Sequence, residues 1–264
     1  MKARHGFGVI LLFLFPFSLG ADPTTTPVAT LPAVVKESEF HWQESSETDG
    51  LTLYQSKVEG SEVIALKGEG IVNAPLEKVA SVIVDYTRGT EWIDGLVASK
   101  LVRPLGPPEF VEYDHMGIPF PFSMFISDRD FISHVTVDYS PATQRLTVSY
   151  LPTEDGLAPV LKQYKRGVMT CVFKMVPMSM ADQTYLEAEI HCDPKGGVPK
   201  WLVNFFQQDW PHTTFENLRR EMKKPDIQVH PIVAQLLKKP TEKTSPKSRQ
   251  PKSGQSAPSP GHRK

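Results

Sequence analysis

Residues 196–211 read GGVPKWLVNFFQQDWP. The paired glycines break whatever precedes them, and Pro199 suits a first helical turn, where no N–H donor is needed. The stretch therefore predicts the start of a helix. Trp201, Leu202, Val203, Phe205 and Phe206 surround its axis instead of forming one stripe, and a helix apolar on every side is expected to be covered on every side. Pro211 predicts a kink, after which the helix continues to about residue 223, ahead of Pro225. Val203, Phe206, Trp210, Thr214, Leu218 and Met222 recur at spacings of three or four, so they define the stripe expected to face its main packing partner.

Strands supply that partner. LTLYQSKV and SEVIALKGEGIV read as a strand pair about a Glu59-Gly60 turn. Gly68 and Gly70 within it are expected to mark a bulge. NAPLEKVASVIVDY reads as a helix capped by Asn73, with Pro75 in its first turn and Leu76, Val79, Ala80, Ile83 and Val84 on its apolar face. Alternation and Gly/Pro clusters place strands near 97–103, 109–116, 129–138 and 145–151, interrupted by loops at 117–127 and 152–165. Two long strands follow at 167–177 and 184–193. Residues 36–45, with Phe40 and Trp42, read as a short helix. The order predicts an α+β domain: one large antiparallel sheet curled around a long C-terminal helix.

On the two long strands, Cys171, Phe173 and Met175 alternate onto one face, and Leu186, Ala188, Ile190 and Cys192 onto the matching face, with Glu187, Glu189 and His191 outward. A turn centred near Ala181 sets Cys171 opposite Cys192, which makes them a candidate disulfide; two buried free thiols are the other reading.

The 264 residues suffice for one large domain with a substantial core. Residues 1–20 have the layout of an export signal: Lys2 and Arg4, the apolar run FGVILLFLFPFSL, then Ser18 and Gly20 before a cleavage site. The expected destination is a periplasm or the exterior; an uncleaved anchor helix is the alternative. Residues 21–35 form a Pro/Thr linker, 36–224 the domain, 225–239 a short further helix and 240–264 a basic tail. Residues 238–264 hold eight Lys/Arg against one acid, while the chain as a whole has a net charge of -1. The body is thus acidic, which disfavours nucleic acid as a partner.

Catalytic and metal motifs are missing. The eight histidines make no H-x-x-x-H or H-E-x-x-H pattern, and there is no G-x-S-x-G elbow or phosphate-cradling glycine loop. No metal and no cofactor are expected. Tyr113 or His115 are the candidates for acid–base work in a cyclase-like pocket.

Three segments carry a family resemblance: EGIVNAPLEKVASVIVDYTRGTEW at 69–92, SDRDF at 127–131, and GGVPKWLVNFFQ with the following TTFENLRREM at 196–222. In this order, across about residues 40–224, they resemble the START (StAR-related lipid-transfer) domains of the helix-grip superfamily. The resemblance implies a tunnel between sheet and C-terminal helix that holds one lipid, gated by that helix and the adjoining loops. Loop 117–127, with apolar Ile118, Phe120, Phe122, Met124 and Phe125, would be one gate; it either contacts membrane or ligand or folds onto the core. Arg129 and Asp130 are read as structural. Steroid-binding members place an acid and an arginine in the tunnel. Aligned on Arg129-Asp130-Phe131 those positions fall on Met116 and Val135, so the expected tunnel is uncharged. Its walls are assigned to Met116, Phe122, Val135, Phe173, Ala188, Val203, Phe206, Trp210, Thr214 and Leu218. The implied ligand is an acyl-chain lipid, sterol or terpenoid, bound by a monomer in transient contact with membranes. A polyketide-cyclase-like or quinone-binding enzyme, or a protein-interaction module, are the rival readings.

Overall fold

A computed structural model describes residues 40–179 and 182–238. The expected export signal, linker and basic tail lie outside the described residues. The described residues hold a ten-stranded sheet. Its strands are β1 (Gln43–Thr48), β2 (Leu51–Ser56), β3 (Ala65–Val72), β4 (Leu96–Gly106), β5 (Glu109–Met116), β6 (Arg129–Ser140), β7 (Arg145–Pro152), β8 (Lys165–Arg166), β9 (Val168–Pro177) and β10 (Thr184–Asp193). Nine run antiparallel in the order β1-β2-β3-β10-β9-β7-β6-β5-β4, and short β8 adds parallel to β6. Helices α1 (Leu76–Val84) and α2 (Gly89–Trp92) precede β4; α3 (Lys200–Gln207), α4 (Trp210–Glu221) and α5 (Pro231–Leu237) follow β10. This is the α+β helix-grip fold: a large curved antiparallel sheet with the C-terminal helices packed on one face.

Alternation decides which face is covered. Cys171, Phe173 and Met175 pair across the ladder with Ile190, Ala188 and Leu186, so all six lie on one face, as their period of two predicts. That face joins Val135, Val137, Leu146, Val148 and Tyr150 to Val79, Ile83, Phe215 and Leu218 from the helices in one core.

Several local expectations are corrected. Cys171 faces Ile190 and Cys192 faces Met169, so the cysteines sit one diagonal apart and both thiols are free. Thr184 pairs with Pro177, so the hairpin is centred one residue earlier than a Cys171–Cys192 pair would need; that shift moves every cross-strand partner by two and keeps both cysteines on one face. The described part of residues 36–45 is not helical: Gln43–Thr48 pairs with β2 as an edge strand, and Phe40 and Trp42 pack ring on ring at 4.9 Å. Tertiary pairing overrides local preference there. Asn73 does not cap α1; its Oδ1 accepts from Gln183 Nε2 at 2.8 Å, and Pro75 occupies the cap position. The long C-terminal helix is two helices, broken at Gln208 and Asp209, and Pro211 stands in the first turn of α4, where it costs no hydrogen bond.

The glycines of β3 explain how α4 seats. No bulge occurs at Gly68 or Gly70 in either ladder. A Cβ on Gly68 would meet Pro211 Cβ at 2.9 Å and Phe215 Cε2 at 3.2 Å; one on Gly70 would run into Leu51 and the Gly50 carbonyl. The two glycines make a flat bed on which the fully buried Phe215 ring lies. Farther along, the Arg219 guanidinium donates to Ile71 O at 3.0 Å. The α4 residues against β3 are therefore Pro211 and Phe215, a line beside the expected Trp210–Thr214–Leu218 stripe. Thr214, Leu218 and Met222 are buried all the same.

Candidate functional site

The candidate site lies where the concave face of the sheet meets the C-terminal helices. Among the residues assigned to its walls, Val135, Phe173 and Ala188 are buried on that face, and Val203, Thr214 and Leu218 are buried on the helices. Phe173 is the centre of an aromatic cluster: Trp92, Tyr150 and Trp210 stand 6.5, 6.3 and 6.5 Å from it, ring to ring. The other assigned residues lie toward one end. Met116 is half-buried where β5 stops, and Phe122 meets Phe206 edge-on at 4.8 Å. Phe206 is 45% exposed, so it belongs to the rim rather than to a closed wall.

The expectation of an uncharged interior is corrected. Phe110 pairs with Val135, which puts the even-numbered residues of β5 on the concave face. Glu112 and Asp114 therefore point inward, 5% and 8% exposed. Ser133 stands directly across from Glu112 on β6, and Ser99 across from Asp114 on β4. Ser99 Oγ donates to Glu112 Oε1 at 3.0 Å. Burial, and then the neighbouring Asp114 charge, push the Glu112 carboxyl well above the usual range. Burial also raises Asp114, to about 6, while the neighbouring Ser99 and Glu112 side chains pull the other way. Two carboxyls this close and this dry hold at least one proton between them at low pH and resist losing it. Sequence reading missed them because EFVEYDHM carries polar and apolar residues on both parities, so a period of two does not reveal its buried face.

The same parity sends Tyr113 and His115 to the opposite face. Tyr113 joins a small cluster with Val111, Ile132 and Ala158. His115 stacks on Tyr164 at 4.2 Å and bonds Asp128 at 2.9 Å. Neither reaches the interior, so the acid–base roles considered for them fail on position.

The rim is apolar and open. Phe125 is 84% exposed, Phe120 79% and Trp201 71%, with Phe205 exposed as well. Loop 117–127 is thus not folded onto the core. Its base is fixed: Asp128 accepts from Ile118 N at 3.0 Å, a bond that lowers the carboxyl's pKa. Arg129 ties the loop's end to the segment before α3, donating to the carbonyls of Ser127, Pro194 and Lys195. Asp130 takes both arms of Arg166 at 2.9 Å. Both residues are structural, as expected. Only Val203 of α3 is buried. Polar tethers hold the rest: Asn204 bonds Ile64 N and Glu62 O at 3.1 Å each, and Gln207 bonds Cys192 O at 2.8 Å. A helix with one buried residue and a few partly exposed hydrogen bonds is drawn from the low-stability end of a fold.

No protein-family model matches the chain. An uncharacterized protein of Pseudomonas aeruginosa is 25% identical over 190 residues, 69% of this chain and 87% of that protein. Among solved structures, a STAR-related lipid transfer protein from Xanthomonas axonopodis is 26% identical, covers 69% of this chain and 99% of its own, and superposes with a TM-score of 0.61. Human StAR-related lipid transfer protein 5 has the same fold, with a TM-score of 0.64 at 20% identity over 72% of this chain and 88% of its own. Sheet order, the helix grip on β3 and the match to the bacterial structure along nearly its whole length together give the chain the fold of the START domains.

Proposed function

We propose that the chain binds one hydrophobic lipid between its concave sheet face and its C-terminal helices, and passes that lipid to and from a membrane at the rim where α3 meets residues 117–127. The observation that carries this reading is the open aromatic rim, with Phe120, Phe125 and Trp201 all more than two-thirds exposed beside a loosely held helix. Exposed apolar surface of this kind marks a contact site. The solved Xanthomonas relative is itself a STAR-related lipid transfer protein. Burial contributes about 0.8 kcal/mol per CH₂, so about ten methylenes supply roughly 8 kcal/mol, enough for micromolar affinity without a charged anchor. The protein acts as an exported monomer, and removal of residues 1–20 during export sets it in a periplasm or outside the cell.

Native mass spectrometry of the protein purified from its own host, with solvent extraction of what is bound, tests the binding. A stoichiometric lipid mass is the expected result; an empty protein that stays unshifted with an added lipid panel overturns it. N-terminal sequencing of the same sample reads the cleavage site. For transfer, Phe125→Ser with Trp201→Ser should slow movement of a fluorescent lipid between vesicles about tenfold while leaving the stoichiometry of bound lipid unchanged. Unchanged transfer would remove the rim from the mechanism.

A further inference from the structure

The other buried polar side chains of the concave face, Arg129 and Thr184, are bonded to backbone carbonyls, but one patch holds several polar atoms with no partner. Glu112 and Asp114 project from β5 side by side, with Ser133 directly across from the first and Ser99 across from the second. Ser99 is committed to Glu112 Oε1. Glu112 Oε2, Asp114 Oδ1 and Ser133 Oγ are buried and have no hydrogen-bond partner among the described residues. Buried polar atoms are normally partnered, and three orphans in one patch need a reason. Among the described residues, no cation is recorded acting on the patch. The titratable groups it acts on or that act on it are Asp85, Tyr150 and Cys171, all acids. The Tyr150 hydroxyl is already spent, donating to Ile83 O at 2.7 Å. Arg129 shares this face, and its guanidinium is occupied by the backbone carbonyls at the rim.

The chemistry of the patch follows from this inventory. Free carboxyl oxygens accept hydrogen bonds, and a deprotonated member of the pair attracts positive charge. An anion placed there meets like charge in a dry environment and has no cation to hold it. We infer that Glu112, Asp114 and Ser133 form a head-group subsite for an amphipathic ligand whose polar end donates hydrogen bonds, a hydroxyl or an ammonium, and that the subsite rejects carboxylate and phosphate heads. This rests on the lipid-binding reading above and narrows it from any hydrophobic ligand to one with a donor head.

Four probes with one chain length separate the two claims: hexadecane, hexadecanol, hexadecylamine and palmitate, offered together to the delipidated protein and read by extraction and mass spectrometry. The expected result is retention of hexadecanol or hexadecylamine over both palmitate and hexadecane by about tenfold. The amine leading means the pair reads charge; the alcohol leading means it reads a neutral donor. Glu112→Gln combined with Asp114→Asn keeps side-chain volume and should bring the donor heads to within about twofold of palmitate. Ser133→Ala should weaken hexadecanol while leaving hexadecane unchanged. Equal retention of all four probes by the unmodified protein, or preference for palmitate, overturns the subsite and leaves lipid binding standing. Retention of none overturns both. The comparison among probes needs no variant, so a variant that fails to fold does not rescue the inference.

Discussion

Gly68 and Phe215 provide a sharp test of how the sheet grips its helix. In the structure a methyl group on Gly68 would stand 2.9 Å from Pro211 Cβ and 3.2 Å from Phe215 Cε2. Carbon atoms pack best at about 3.5–4.0 Å, so α4 must retreat by roughly half an ångström or more to admit the methyl, and a gap of that size forfeits about a quarter to a half of the contact energy along its length. Overpacking of this kind costs about 1–3 kcal/mol, which is the destabilisation expected for Gly68→Ala. Phe215 is fully buried on the same bed, and Phe215→Ala should cost about 3–5 kcal/mol. The double variant is the informative one. Removing the ring leaves space for the Gly68 methyl on one of its two crowded sides, with Pro211 still close on the other. The combined loss should therefore fall short of the sum of the single losses by about 1 kcal/mol. Urea unfolding of the four proteins gives the cycle, provided their slopes agree. Additivity within about 0.5 kcal/mol would refute the claim that Gly68 is glycine because Phe215 and Pro211 need its space.

Three further outcomes are expected. The carboxyl of Asp114 is raised in the folded state from 3.8 to about 6, so its contribution to stability is fully present below 3.8 and is lost as pH rises through about 6. Relative to Asp114→Asn, the unmodified protein should lose up to about 3 kcal/mol across that window, read as melting temperature against pH; a constant difference between the two proteins would show that Asp114 is not so perturbed. The denatured, unreduced protein should titrate two thiols, since Cys171 and Cys192 are offset on their strands; a value of zero would mean that the hairpin register differs. Arg88 holds buried Glu221 at 2.6 Å, with Lys224 on the other oxygen at 2.7 Å. Arg88→Ala should cost about 3 kcal/mol because half the compensation of a buried carboxylate is lost; a loss under about 1 kcal/mol in urea unfolding would show that Lys224 suffices alone.

The elements with strong periodicity were legible from sequence. Strands β4 to β7, β9 and β10 lie where alternation and turn residues put them, and α1 shows the apolar face written into Leu76, Val79, Ala80 and Ile83. Features that depend on a partner were not legible. Gly68 and Gly70 look like bulge markers until the ring of Phe215 is seen above them. QESSET has no apolar period at all and becomes a strand only because β2 offers it an unpaired edge. In β5 the choice of which parity faces inward is made by pairing with β6, and that choice turned Glu112 and Asp114 into interior groups and sent Tyr113 and His115 outside. The wall residues of the candidate site were legible where they belong to the core, as with Phe173 and Leu218, and less so at the rim, where Phe206 is shared between packing and exposure.

Residues 196–211 show where a general rule gives way. A helix apolar on every side is expected to be buried on every side. In α3 only Val203 is buried, while Trp201, Phe205 and Phe206 remain open and Phe122 covers Phe206 from one side. The rule assumes that water is the only other solvent. A helix whose polar tethers, Asn204 and Gln207, hold it to the sheet margin keeps its aromatic faces available without needing its own core. The neighbouring α4 does the opposite. Its Phe215 is locked on the glycine bed, and Arg219 and Glu221 are tied to β3 and to Arg88. The break at Gln208 and Asp209 separates these two jobs: a fixed helix that completes the fold, and a lightly held one beside the rim. Opening at α3 then costs one buried valine and a few hydrogen bonds, whereas opening at α4 would cost the core itself. Any passage for a ligand into the grip should therefore run under α3.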